Sequence, residues 1–203
     1  MDLPEAVTVG APAPRRRRGS RRTHIVRAAA DLFAADGYPA AGMDQIGAAC
    51  GITGPAIYRH FDSKAAILAA VFDGIIDAVT APPAGPRTDS PTASDELLDM
   101  VEVYAGAVAA RRRLMAVFVR EVHHLPPEHR AKLAERQRRL VRRWRVLLGE
   151  IHPGWSQEVI RTTVHGCFGM LNAIGTFDSA QTDEELAATL LVLAERMLEL
   201  GRA

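Results

Sequence analysis

Apolar positions recur at helical spacing along almost the whole chain. Ile25, Ala29, Leu32 and Phe33 fall at i, i+4, i+7 and i+8 after Thr23, and Gly37 supplies a C-terminal stop, which predicts a first helix. A short second helix is predicted from Met43 to Cys50, broken by Gly51. A third follows Thr53, whose hydroxyl is placed to cap it, with Pro55 in the first turn, where a backbone N–H has no helical partner in any case. Ser63 is a second cap, and Leu68, Val71, Phe72, Ile75 and Val79 give a fourth helix one continuous apolar stripe.

Residues 80–94 hold four prolines and few large apolar side chains, so they read as a connecting loop. Beyond them, Ser94 is read as the cap of a helix to about Ala110, and Arg111–Val122 as the next. Pro126 and Pro127 break the chain and start a long helix to about Ile151, with Leu133, Leu140, Trp144, Leu147 and Ile151 as its buried stripe. Pro153 and Gly154 end it. Ser156 caps a helix to about Phe177, and Thr182 with Glu185 makes a capping box for the last, whose seam is Leu186, Leu190, Leu193, Met197 and Leu200. No stretch alternates as a strand does. The expected fold is all-α, with about nine helices.

The two short helices across Gly51 suit a helix-turn-helix, in which the second helix enters the major groove while the first braces it. Small Gly47, Ala48 and Gly51 permit a close crossing, and Ile46, Ile52, Ile57 and Phe61 supply an internal core. The surrounding text resembles the TetR family of bacterial transcriptional regulators. The likeness rests on Ala29-Ala30-Asp31-Leu32-Phe33, Asp36-Gly37-Tyr38, Met43-Asp44-Gln45-Ile46, Gly51-Ile52-Thr53, and above all Ile57-Tyr58-Arg59-His60-Phe61 followed by Ser63-Lys64. It is close over residues 23–72, and beyond that rests on length and helix count.

The resemblance implies DNA contacts at Gly42, Met43, Thr53, Gly54, Pro55, Ala56, Tyr58, Arg59, His60 and Lys64. Their chemistry agrees. Thr53, Tyr58 and His60 can donate to phosphate oxygens, and Lys64 adds a cation at a helix start. Pro55 and Ala56 suit thymine methyl groups, and Arg59 is the one side chain of the set able to make the common guanine contact. Part of the specificity is expected from DNA shape and from a basic arm over residues 1–20, where Arg15 to Arg18 cluster. The domain boundaries expected are 1–20 for the arm, 21–64 for the DNA reader, and 65–203 for an effector-binding and dimerisation domain.

Charge sharpens this picture. The formal net charge of +1 conceals two basic blocks: residues 1–64 carry nine basic and six acidic groups, and residues 111–145 carry twelve basic and three acidic. The segments 65–110 and 146–203 are acidic. The 48% hydrophobic and 24% charged content is that of an ordinary soluble domain. With no signal-like apolar region and no membrane-length apolar run, and with Cys50 and Cys167 far apart and outside any CxxC pair, a cytoplasmic protein without disulfide or metal scaffold is expected.

The resemblance also implies a homodimer and an effector pocket. Gly166, Gly169 and Gly175 in the penultimate helix suggest close helix packing, so the dimer is expected through the last two helices. Tyr104, Met115, Phe118, Val119, Trp144, His165, Phe168 and Asn172 are the candidate pocket residues, suited to a small hydrophobic effector, with an acyl-CoA or fatty acid as one option. Arg138, Arg139, Arg142 and Arg143 would then hold phosphates. The alternative is a solvated face paired with the acidic helices.

An enzyme is the rival class. Glu121, His123 and His124 cluster beside Pro126, and Glu121 with His124 shares one helix face as in a metal-dependent enzyme. There is no second such pair, no HExxH, no nucleophile elbow and no phosphate loop, so no catalytic residue, metal ligand or cofactor is assigned. The expected activity is that of a repressor, released from a palindromic operator by its effector.

Overall fold

The computed structural model describes residues 18–83, 85 and 91–200. They form nine α-helices: α1 (Arg18–Asp36), α2 (Met43–Ala49), α3 (Gly54–Ile57), α4 (Lys64–Val79), α5 (Ala93–Ala109), α6 (Arg112–Glu121), α7 (Pro127–Ile151), α8 (Gln157–Asn172) and α9 (Asp183–Met197). Short 3-10 turns, Val122–His124 and Ala173–Thr176, follow α6 and α8. No strand occurs among the described residues.

Helix α1 starts at Arg18, seven residues ahead of Ile25, the first residue of the apolar period, so the last three residues of the expected arm are helical. The rest of that arm, with Arg15 to Arg17, lies outside the described residues. The caps follow local chemistry. Ser63 Oγ accepts from Ala66 N–H at 3.1 Å, Ser156 from Val159 N–H, and Thr182 with Glu185 closes a full capping box. Two expectations fail here. Thr53 occupies the N-cap of α3 but its hydroxyl makes no capping bond. The cap of α5 is Thr92 rather than Ser94, because Asp95 returns a bond to the Thr92 N–H at 2.9 Å and completes a box that Ser94 cannot form. Helix α8 ends at Asn172, and the chain to Thr176 tightens into the second 3-10 turn.

The reader packs α1 on α2, and α2 on α3. Ile25, Ala29, Phe33, Ile46, Ile57 and Phe61 are buried, and Ile52 is half-buried against them. Gly37 and Gly51 take φ of +83° and +66°, the left-handed region that lets α1 stop and α2 turn into α3. Gly47 allows the crossing: a Cβ there would lie 2.8 Å from Ile52 O and 2.9 Å from Gly54 N.

Helix α4 leaves the reader and packs against α1, α5 and α7, while α5 also packs on α9. Along α7, Leu133, Trp144, Leu147 and Leu148 are buried, whereas Leu140 and Ile151 are only partly so. On α9, Leu186, Leu190 and nearby Leu200 are buried, but Leu193 and Met197 of the expected seam are 41% and 38% exposed. Gly175 brings the second 3-10 turn onto α6, with a built Cβ meeting Ala116 N at 2.5 Å.

Candidate nucleic-acid interface and effector cavity

The turn from α2 into α3 projects Thr53, Pro55, Tyr58 and Arg59 into solvent, with Met43, Ala56 and His60 partly exposed beside them. Tyr58, 54% exposed, is a large aromatic side chain that the fold leaves uncovered. Gly42 is the N-cap of α2, and its N–H donates to Gln45 Oε1 at 2.7 Å, which fixes where α2 begins. Arg22, outside the expected contact set, holds the far end in place: its guanidinium donates to His60 O at 2.6 Å and stacks 3.9 Å from the Phe61 ring centre. Only a tertiary contact across 38 residues reveals that role.

Two residues of the expected contact set sit differently. Gly54 is buried, and a Cβ there would reach within 2.0 Å of Asp44 Oδ1, so its small size serves the packing of α3 on α2. The Lys64 ammonium donates to the carbonyls of Tyr38, Pro39 and Ala41 at 2.8, 3.1 and 3.1 Å. An ammonium has three N–H donors, so all are engaged within the protein and none remains for phosphate.

A cavity of about 500 Å³ opens between α4, α5, α7 and α8. Ile76, Val79, Leu140, Val141 and Phe168 give it apolar wall, Tyr104, His165 and Asn172 give it polar groups, and Arg138, Arg142 and Arg145 lie along α7. Tyr104 Oη donates to Asn172 Oδ1 at 2.8 Å, and burial pushes the phenol up to about 12, which keeps it a neutral donor. Trp144 stacks behind this wall, 4.4 Å from the Phe168 ring centre, fully buried and not on the cavity surface.

Four of the eight expected pocket residues thus meet: Tyr104, His165, Phe168 and Asn172. Met115, Phe118 and Val119 do not. Met115 is buried beneath the Gly175 turn, Phe118 packs edge-on against Phe72, and Val119 is 52% exposed, because α6 turns its apolar face to α1 and the 3-10 turn rather than to the cavity. The arginine set divides in the same way. Arg138 and Arg142 border the large cavity, Arg139 borders a neighbouring one of about 270 Å³, and Arg143 is paired with Glu96 of α5. Arg136 likewise pairs with Asp73 and Asp77 of α4, so part of the basic block is a face matched to acidic helices.

Residues 25–71 match the model of the tetR family of bacterial regulatory proteins, and residues 90–176 match that of the tetracyclin repressor-like C-terminal domain. This chain belongs to the TetR family. Members are DNA-binding transcription regulators rather than enzymes, which overturns the alternative of a metal-dependent enzyme on Glu121 and His124. Among curated relatives, the HTH-type transcriptional activator FasR of Mycolicibacterium smegmatis is 39% identical over 72 residues, 32% of this chain and 33% of that protein. The transcriptional regulator TtgW of Pseudomonas putida is 44% identical over 50 residues, 25% of this chain and 37% of that protein. The chain therefore spans about a third of the length of these relatives.

Solved structures extend the likeness to the whole fold. A TetR-family regulator from Bordetella parapertussis superposes with a TM-score of 0.72 at 24% identity, covering 90% of this chain and 98% of that one. AibR, solved with isovaleryl coenzyme A and operator DNA, superposes with a TM-score of 0.70 at 20% identity over 85% of this chain and 97% of that one. Among the described residues no helix is long and apolar enough to cross a membrane.

Proposed function

We propose that the protein is a homodimeric repressor released from a two-fold operator by an anionic, partly hydrophobic effector, of which an acyl-CoA or fatty acid is the leading class. The observation that carries this reading is the course of α4. Its first residue, Lys64, grips the loop between α1 and α2, while Ile76 and Val79 near its other end line the cavity. Fifteen helical rises, each about 1.5 Å, carry α4 about 22 Å from Lys64 to Val79, so one rigid element joins cavity wall to DNA reader. An effector that fits the cavity in only one position of α4 changes operator affinity by its differential affinity for the two positions.

On DNA, Thr53, Tyr58 and His60 would donate to phosphates, Gly42 and Met43 would approach the backbone, Pro55 and Ala56 would meet thymine methyls, and Arg59 would read a guanine. Gly54 and Lys64 drop out of the set for the reasons above. In the cavity, Arg142 and Arg145 favour an anion, Arg138 being paired with Glu135, and Tyr104 with Asn172 supplies an oriented polar pair. AibR, which shares the fold, was solved with a short acyl coenzyme A.

The dimer face is proposed on α8 and α9. Val159, Val192, Leu193 and Met197 are exposed there, Gly169 has no atom within 4 Å of a built Cβ, and Gly166 meets only Met197 Cε at 3.4 Å. Glycines facing open space in one chain permit close approach of another.

The test is operator release combined with thermal shift, using acyl-CoA thioesters, free fatty acids and uncharged hydrophobic compounds. Anionic ligands are expected to stabilise the protein and release operator; stabilisation by uncharged compounds alone would overturn the anionic assignment. Tyr58→Ala is expected to weaken operator binding at every sequence, and Arg59→Ala to relax one base position. A reporter strain reads the sign of control, which matters because FasR is described as an activator.

A further inference from the structure

At the end of α6 the chain tightens from α-helix into the 3-10 turn Val122–His124. With about three residues per turn, side chains three apart eclipse, and Glu121 and His124 come onto one side. His124 Nε2 lies 3.3 Å from Glu121 Oε2, and the two imidazole rings of His123 and His124 are 4.1 Å apart between centres. One ligand atom from each of Glu121, His123 and His124 falls within 4.8 Å of the others, a grouping that is unique among the described residues.

The turn is held in this shape from outside the cluster. Leu125 is buried and its N–H closes the turn on Val122 O at 3.2 Å, while Arg130 donates to the His123 carbonyl at 2.9 Å. The Glu121 side chain is only 12% exposed, whereas His124 is 38% exposed, so the carboxylate forms the floor and the imidazoles the solvent-facing side. An ion thus has an entry path, and water can complete its shell.

We propose that Glu121, His123 and His124 bind one zinc ion per chain, at the contact between the effector domain and the DNA reader. Two imidazoles and one carboxylate suit zinc; hard cations such as magnesium and calcium call for oxygen ligands, and copper(I) for sulfur. Zinc bonds of about 2.0–2.2 Å place tetrahedral ligands about 3.3–3.6 Å apart, a spacing that His124 and Glu121 already meet at 3.3 Å, so binding draws in His123, whose ring stacks on that of His124. That movement has a neighbour in the reader. The His124 ring packs against Tyr38 at 5.0 Å between centres, and the Tyr38 carbonyl accepts from Lys64. Zinc occupancy is therefore coupled to the loop that sets the position of α2, and hence to operator affinity. This coupling rests on the DNA-binding reading, whereas the zinc site does not.

The experiment titrates zinc into untagged, chelator-treated full-length protein against a chromophoric competitor, and repeats it with cobalt(II), whose visible bands report four-coordination. The expected result is one ion per chain, with affinity lowered about tenfold or more by His123→Ala, His124→Ala and Glu121→Gln. His123→Ala is the cleanest variant, since that ring stacks on His124 alone among the ring contacts. Circular dichroism and melting of each variant show that it is folded. Absence of zinc binding, or binding unchanged in the three folded variants, would overturn the site. For the coupling, zinc affinity with and without saturating operator must differ by the same factor by which zinc changes operator affinity. Equal zinc affinity in both states, with the site itself intact, removes the coupling and leaves the site standing.

Discussion

The Lys64 ammonium lies 2.8 Å from the Tyr38 carbonyl oxygen and 4.5 Å from the centre of the same residue's ring. Tyr38 also packs edge-on against Phe33 in the α1 core, at 5.3 Å between centres. One lysine therefore fastens α4 to the segment between α1 and α2 through both backbone and side chain.

Replacing Lys64 by Met leaves three carbonyls without their charged donor. Hydrogen bonds to charged groups contribute about 1.5–3 kcal/mol, and partial exposure places the expected loss near the lower end. The variant should melt earlier while the dependence of operator affinity on salt keeps its slope. A lost phosphate contact would instead reduce that slope by about one, so a salt titration separates the two roles.

Gly47 and Gly54 should differ in their tolerance of a methyl group. At Gly47 the added Cβ meets backbone atoms of residues 52–54 at 2.8–2.9 Å, and relief requires α2 and α3 to part. At Gly54 the obstacle is the Asp44 carboxylate, a side chain that can swing into solvent. Gly47→Ala is expected to destabilise by about 1–3 kcal/mol and to weaken operator binding, with Gly54→Ala clearly milder, as chemical denaturation and gel-shift assays would show.

Alkaline pH should loosen the C-terminal helices around Tyr104 and Cys167. Burial raises the Tyr104 hydroxyl from an ordinary value near 10, and the Cys167 thiol from near 9, each to about 12. Their neutral forms are favoured by folding, so the stabilisation is complete below the unfolded values and is lost as pH rises through the folded ones. For Tyr104 the loss amounts to about 3 kcal/mol by pH 12. Tyr104→Phe should flatten this decline in urea unfolding curves, and an unaltered decline would assign it to other groups.

Leu193→Arg places a charge on the exposed apolar face of α9. The side chain has room in the single chain, so melting should shift little, while sedimentation should show monomers and operator binding should fall by about a hundredfold or more. A dimer that survives this change would move the interface elsewhere.

Legibility differed by the range of the interaction concerned. Helix ends are legible where cap and partner lie three residues apart, as at Ser63 and Thr182; before α5 both Thr92 and Ser94 offer a cap, and the return bond from Asp95 decides for Thr92. The exposed face of the reader followed from local text, since Thr53, Pro55, Tyr58 and Arg59 fall on a turn that the glycines define. The seat of the Lys64 ammonium is not legible in the local text, because its three carbonyl acceptors lie 23 to 26 residues away. In the cavity, helical periodicity identified residues that face inwards without saying inwards to what. Tyr104 and Asn172, 68 residues apart, meet there, whereas Met115 and Phe118, equally apolar, were taken up by α6 contacts.

The missing side chain at Gly175 has a mechanical consequence. A Cβ there would lie 2.5–3.0 Å from the backbone of Met115 and Ala116, so only glycine lets the turn after α8 seat this closely on α6. Asn172, on the cavity wall, lies three residues before that joint, and α6 runs from it to α1. If the proposed effector displaces Asn172, this contact offers it a second route to the reader, parallel to α4 and ending where His124 packs on Tyr38.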